Sequence, residues 1–124
     1  MKNRRFLIVE DEPDGQDVVK RLLACFKVAA DAAGNAEEAL TLLALHQYDA
    51  AIIDLGLPGM DGMELLQAIR QNPTTANLPC VAITAYHTSV VKQSALHAGF
   101  DAYFAKPIED TSFIRELDRI VAGN

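Results

Sequence analysis

The chain has 124 residues, half of them apolar and 6% aromatic, with a formal net charge of −6 and two cysteines. That length allows one domain, residues 1–124, with a mainly aliphatic core, and the balance is that of an α/β layer fold rather than a disulfide scaffold or a disordered tail. The negative charge argues against direct nucleic-acid binding, which needs a basic patch, and no apolar run approaches the roughly 20 residues of a membrane span.

Short apolar runs alternate with helical patterns along the chain. The basic start MKNRR precedes only four apolar residues, Phe6 to Val9, and then acid. This is a first strand buried on both faces, not a signal-peptide core. Val18, Val19, Leu22, Leu23 and Phe26 then recur at helical spacing. Val28–Ala33 reads as a weaker edge strand, and Asn35 with Glu38 as a capping box for a helix through Leu43. Ala50–Asp54 is a strongly apolar strand. Pro58, Gly59, Asp61 and Gly62 form a loop, with Asp61-Gly62 as a turn, before the stripe Leu65, Leu66 and Ile69.

Leu78–Thr84 reads as another buried strand, with Pro79 tolerated only near its start. Val90, Val91, Ala95 and Ala98 predict a fourth helix closed by Gly99. Ala102–Ala105 is a short strand, and Phe113, Ile114, Leu117, Ile120 and Val121 define a last amphipathic helix ending near Ala122-Gly123. This (βα)5 alternation predicts a doubly wound parallel sheet with helices on both faces and right-handed crossovers. Cys25 and Cys80 lie in apolar contexts without CxxC spacing, so both are expected buried and reduced, as in a cytoplasmic protein.

The chemistry-bearing residues fall at strand ends. In an open parallel sheet the loops after the strands emerge on one edge, where Glu10, Asp11, Asp54, Thr84 and Lys106 would converge. Three carboxylates, a hydroxyl and an ammonium make a metal-plus-phosphoryl site. A hard divalent ion such as Mg²⁺ suits oxygen ligands; Asp11 is the better direct ligand and Glu10 the better water-mediated one, since neighbouring side chains cannot point equally at one ion. Asp54 could serve as metal ligand, base or nucleophile. Thr84 is followed by a small residue that allows close approach to an anion, and the Lys106 ammonium is a compact charge suited to a phosphoryl oxygen. Pro107 favours an extended conformation at Lys106. His46, His87 and His97 have no metal-ligand spacing, and His87 reads as an exposed loop residue.

The segments LIVEDEP, IIDLGLPGMDG, VAITA and DAYFAKP, in this order and separated by whole βα units, resemble a response-regulator receiver domain of two-component signalling over essentially the whole chain. The resemblance implies a flavodoxin-like sheet in order 2-1-3-4-5. It implies that Asp54 takes a phosphoryl group from a phosphohistidine of a sensor histidine kinase or histidine phosphotransfer protein. Asp11, Asp54 and the Gly56 backbone carbonyl would bind Mg²⁺, with Glu10 assisting through water. Thr84 and Lys106 would hold the phosphoryl oxygens, Lys106 serving the phosphorylated state more than the resting fold. Tyr103 occupies the position of the family's aromatic switch, and a downstream protein partner would dock on the face of the fourth helix, fifth strand and fifth helix.

Gly56 and Tyr86 depart from the commonest family pattern and would flank the acyl phosphate. Leu57, where methionine is common, conserves volume. The implied protein is a phosphoacceptor switch that assists its own phosphorylation and dephosphorylation, acting without membrane or nucleic-acid contact. No output domain is apparent before Asn124, so the chain is expected to be a stand-alone regulator or a receiver from a longer protein. A Mg²⁺-dependent phosphohydrolase is the enzymatic alternative, but Gly56 stands where such enzymes carry a second acid. A flavin-binding module would need a hydroxyl-rich phosphate loop, and EDEPDG after the first strand would repel phosphate.

Overall fold

Strands buried on both faces have no use for polar alternation, and here they form the middle of the sheet. The computed structural model describes residues 4–108 and 111–122; Met1 to Asn3 of the basic start, and Gly123, lie outside them. Among the described residues the elements are β1 (Arg5–Val9), α1 (Pro13–Ala24), β2 (Ala29–Ala33), α2 (Ala36–Leu45), β3 (Ala50–Asp54), α3 (Gly62–Gln71), β4 (Cys80–Thr84), α4 (Ser89–Ala98), β5 (Ala102–Ala105) and α5 (Thr111–Ala122). The strands pair in parallel in the order β2-β1-β3-β4-β5. Every residue of β3 and β4 is buried. At the edge, β2 carries Asp31 and is only partly covered.

Side chains alternate across the sheet and divide the core in two. Phe6, Ile8, Ile52 and Ile83 pack with Val19 and Leu23 of α1 and Phe113, Ile114 and Leu117 of α5. Leu7, Val9, Ile53 and Ala82 pack with α2, α3 and α4 through Ala39, Leu65, Leu66 and Ala95. All five apolar positions read into α5 are buried.

Four expectations need correction. Of the α1 stripe, Val18 and Phe26 are exposed, and the helix buries Val19 and Leu23. Cys25 is exposed while Cys80 is buried, both as free thiols. At about 100° per residue, Cys25 lies some 200° round from Leu23 and cannot share its face. Asp61 is more than a turn residue: it caps α3, accepting from Glu64 N at 2.9 Å while Glu64 accepts from Asp61 N at 3.3 Å. The capping box read at Asn35 is half formed. Asn35 accepts from Glu38 N at 2.8 Å, but the Glu38 carboxylate reaches Gly34 N rather than Asn35 N.

The register positions the site. Val9 lies opposite Ile53, Asp54 opposite Ile83 and Thr84 opposite Ala105. Glu10, one past Val9, therefore comes level with Asp54, and Lys106 follows one step beyond Thr84. The backbone extends the ladder here: Leu55 N donates to Ile83 O at 2.9 Å and Lys106 N to Thr84 O at 2.8 Å. The Lys106–Pro107 peptide bond is cis. Gly62 sits where α3 begins, close behind Asp54; a Cβ there would lie 2.7 Å from the Asp54 carbonyl oxygen and 2.8 Å from Leu55 Cα.

Candidate functional site

Asp54 ends β3 with 6% of its surface exposed. Its Oδ1 accepts from Gly56 N at 2.9 Å and its Oδ2 from Lys106 Nζ at 2.8 Å. Glu10 is 1% exposed, and its Oε1 accepts from the same ammonium at 2.5 Å. Its other oxygen, Oε2, is buried without a hydrogen-bond partner. Asp11 is exposed, yet one carboxylate oxygen from each of Glu10, Asp11 and Asp54 lies within 4.8 Å of the others. Neither His46, His87 nor His97 joins such a group among the described residues.

One ammonium cannot fully compensate two buried carboxylates, and the pair divides the burden unequally. Burial, reinforced by the neighbouring Asp54, pushes Glu10 up to about 8 despite its bond to Lys106. Burial also opposes ionisation of Asp54, but hydrogen bonds from Glu10, Lys106 and Gly56 hold it below its ordinary value. A proton on Glu10 turns it from an acceptor into a donor beside Asp54, which stays anionic. Burial likewise works against the charge of Lys106, and the two carboxylates outweigh it and raise its pKa.

In the resting site Lys106 is bonded to both Glu10 and Asp54. Gly15 in α1 makes room for this arrangement, because a Cβ there would overlap the Glu10 carboxylate. Gln16 Nε2 also donates to Glu10 O at 2.7 Å, fastening the start of α1 to the end of β1.

Thr84 is 3% exposed and its hydroxyl accepts from Tyr86 N at 3.1 Å. Tyr86 itself is 80% exposed. Tyr103 is half-buried on β5, and its hydroxyl lies 2.9 Å from His87 Nδ1. The sequence placed His87 correctly as an exposed loop residue but held no signal for this partner. A cleft of about 410 Å³ opens beside Lys106 and Glu10, walled by Val18, Val19, Pro107 and Ile108. A larger cleft of about 720 Å³, lined by Arg4, His46, Tyr48 and Leu78 among others, contains none of these site residues.

The arrangement provides a buried anionic carboxylate, a fixed cation and adjacent acid at the carboxyl edge of a parallel sheet. The family described as "Response regulator receiver domain" matches residues 6–118. The chain belongs to the response regulator receiver domain family. Receivers are phosphoacceptor modules of two-component phosphorelay signalling, and this receiver has the family's sheet order.

A protein from Chloroflexus aurantiacus described as a response regulator superposes with a TM-score of 0.92 at 32% identity, over 98% of this receiver and 99% of that chain. The receiver domain of sensor histidine kinase PA1611 from Pseudomonas aeruginosa PAO1, with a magnesium ion coordinated in its active site cleft, superposes with a TM-score of 0.87 at 28% identity, over 96% of this receiver and 98% of that chain. The chemotaxis protein CheY-3 of Vibrio cholerae is 31% identical over 96% of this receiver and 92% of its own length. The response regulator PilR of P. aeruginosa is 36% identical over 94% of this receiver, which spans only 26% of PilR. No helix among the described residues is long and apolar enough to cross a membrane.

Proposed function

We propose that residues 1–124 act as one receiver in which Asp54 accepts a phosphoryl group from a phosphohistidine. The observation that carries this reading is the environment of the Asp54 carboxylate, buried yet held anionic between Lys106 Nζ at 2.8 Å and Gly56 N at 2.9 Å. A carboxylate oxygen bonds to phosphorus, the P–N bond of the donor breaks, and its electron pair returns to the imidazole, which takes up a proton. The product is an acyl phosphate on Asp54. Lys106 shifts from two carboxylates toward a phosphoryl oxygen, and Thr84 exchanges Tyr86 N for another. Phosphoryl transfer asks the protein mainly for position and charge, and both are supplied here.

The donor set fits Mg²⁺. Three carboxylates lie together, and the bare, buried Oε2 of Glu10 is an acceptor that a cation or a proton must satisfy. Asp11, Asp54 and the Gly56 carbonyl would hold the ion directly, with Glu10 assisting through water. When bound, it supplies positive charge that offsets the carboxylates and the incoming phosphoryl oxygens.

The donor is a sensor histidine kinase or a histidine phosphotransfer protein, the setting is the cytoplasm, and the output is a changed affinity for a protein docking on the α4–β5–α5 face. The relatives, which include a regulator far longer than this receiver and one of similar length, support both a stand-alone and a multidomain setting. The reading is tested with acetyl phosphate as donor. Mg²⁺ should be required for addition of one phosphoryl group, and Asp11→Ala should abolish this Mg²⁺-dependent phosphorylation while remaining folded, because removing one of the crowded carboxylates relieves repulsion. Unchanged Mg²⁺ affinity in Asp11→Ala would contradict the assignment.

A further inference from the structure

The loop between β4 and α4 is short and tied at both ends. Thr84 closes β4 with its hydroxyl bound to Tyr86 N at 3.1 Å. Thr88 caps α4, its hydroxyl accepting from Val91 N at 3.1 Å. Only Ala85, Tyr86 and His87 lie between these two threonines. Across the ladder Ala82 pairs with Tyr103 and Thr84 with Ala105, so Tyr103 stands beside β4 two residues short of Thr84. Its ring packs against the core cluster on the α2–α3–α4 side. Its hydroxyl reaches back to the loop, 2.9 Å from His87 Nδ1, and the two rings lie 5.4 Å apart with a 43° tilt.

The geometry points to His87 as the positioning residue that couples Thr84 to Tyr103: its imidazole anchors the phenol, and displacement of the loop by Thr84 releases it. The inference rests on the proposed phosphorylation of Asp54 and adds a residue to it. When the Thr84 hydroxyl turns to a phosphoryl oxygen, it gives up Tyr86 N. One of the two ties of the loop is then lost, one residue away from His87. The imidazole follows Tyr86 away from Tyr103, and the restraint on the phenol is released. An alanine or an acid at position 87 could not provide the same ring contact together with a nitrogen at hydrogen-bond distance. His87 is exposed and belongs to no core cluster, so its removal leaves the fold intact.

The test uses ring-labelled tyrosine, with the Tyr103 resonances assigned through Tyr103→Phe. Two variants separate the nitrogen from the ring: His87→Phe keeps the ring and removes the nitrogen, and His87→Gln keeps a polar group able to meet the hydroxyl. Spectra are recorded for the resting protein and with Mg²⁺ and beryllofluoride, a phosphoryl mimic. Loss of one neutral hydrogen bond should raise the released population of Tyr103 in resting His87→Phe by roughly two- to tenfold. Its ring shifts should therefore move along the line toward the beryllofluoride position. His87→Gln should return them toward the parent, and all three proteins should take up one phosphoryl group from acetyl phosphate. Tyr103 shifts in His87→Phe that coincide with the parent, or that leave that line, overturn the inference. A parent that neither binds beryllofluoride nor takes up phosphoryl defeats the Asp54 reading instead, and the resting-state comparison still decides the His87–Tyr103 contact.

Discussion

Lys106 is the residue on which the resting site turns. It bonds to Glu10 and Asp54 together, but burial, reinforced by the neighbouring Asp54, still pushes Glu10 up to about 8. An acid raised in the fold above its ordinary value of 4.5 stabilises through its protonated form. That contribution is complete below pH 4.5 and is lost as pH rises through about 8. Urea unfolding of the metal-free protein should therefore show stability falling across this window, and Glu10→Gln should flatten the dependence. A parent whose stability is level from pH 5 to 8 would mean that Glu10 ionises normally. Lys106→Ala should still take up phosphoryl from acetyl phosphate but lower resting stability at pH 8 by about 2 kcal/mol, the scale of hydrogen bonds to charged groups. Beryllofluoride should then fail to shift the amide resonances of α4 and β5, and shifts equal to the parent's would show that Lys106 does not link site to switch. The identities of these residues were legible from strand-end placement. The sharing of one ammonium by two carboxylates was not, because it depends on Gly15 leaving space for the Glu10 side chain.

At the scale of elements, legibility followed burial. The apolar runs of β1, β3 and β4 announce themselves because both faces of these central strands are covered, and Ala50–Asp54 and Ala102–Ala105 have the bounds read from sequence. Helix faces were less certain, since an apolar residue such as Val18 fits the period of α1 and still lies exposed beside the site. Asp61 and Gly62 form a turn signal whose two parts have different tasks. Asp61 holds the α3 cap, so Asp61→Ala should cost about 1 kcal/mol in urea unfolding and leave phosphoryl uptake unchanged. Gly62 allows α3 to approach the Asp54 backbone, so Gly62→Ala should displace the acceptor and slow uptake severalfold. Equal uptake rates in Gly62→Ala and the parent would show that this close approach does not position Asp54. On the opposite edge, Asp31 of β2 binds Arg5 at 2.6 Å and the Tyr48 hydroxyl at 2.6 Å. Burial and then this bond push Tyr48 up to about 12. The neutral phenol is the stabilising form, so its contribution is complete below pH 10 and lost as pH rises through about 12. Ultraviolet titration should show one phenol ionising near pH 12, and Asp31→Asn should bring it down.

Across the whole molecule, a parallel sheet gathers residues from positions 10 to 106 at one edge and leaves the other edge to structural pairs such as Arg5–Asp31. Order 2-1-3-4-5 sets the ends of β1 and β3 side by side, and there the acidic residues meet. The resemblance read from four segments predicted this topology. What it could not carry was contact between chemically ordinary residues: His87 and Tyr103 are 16 positions apart and meet only through the register of β4 with β5. The proposed end point of phosphoryl transfer at this edge, Asp54, can be read at the residue itself. An acyl phosphate is reduced by borohydride to the alcohol, so protein incubated with Mg²⁺ and acetyl phosphate, reduced and digested, should carry homoserine at position 54 and at no other aspartate, with Asp54→Asn unmodified. A reduced aspartate elsewhere, or a borohydride-resistant phosphoryl group on His46, His87 or His97, would rule out Asp54 as the acceptor.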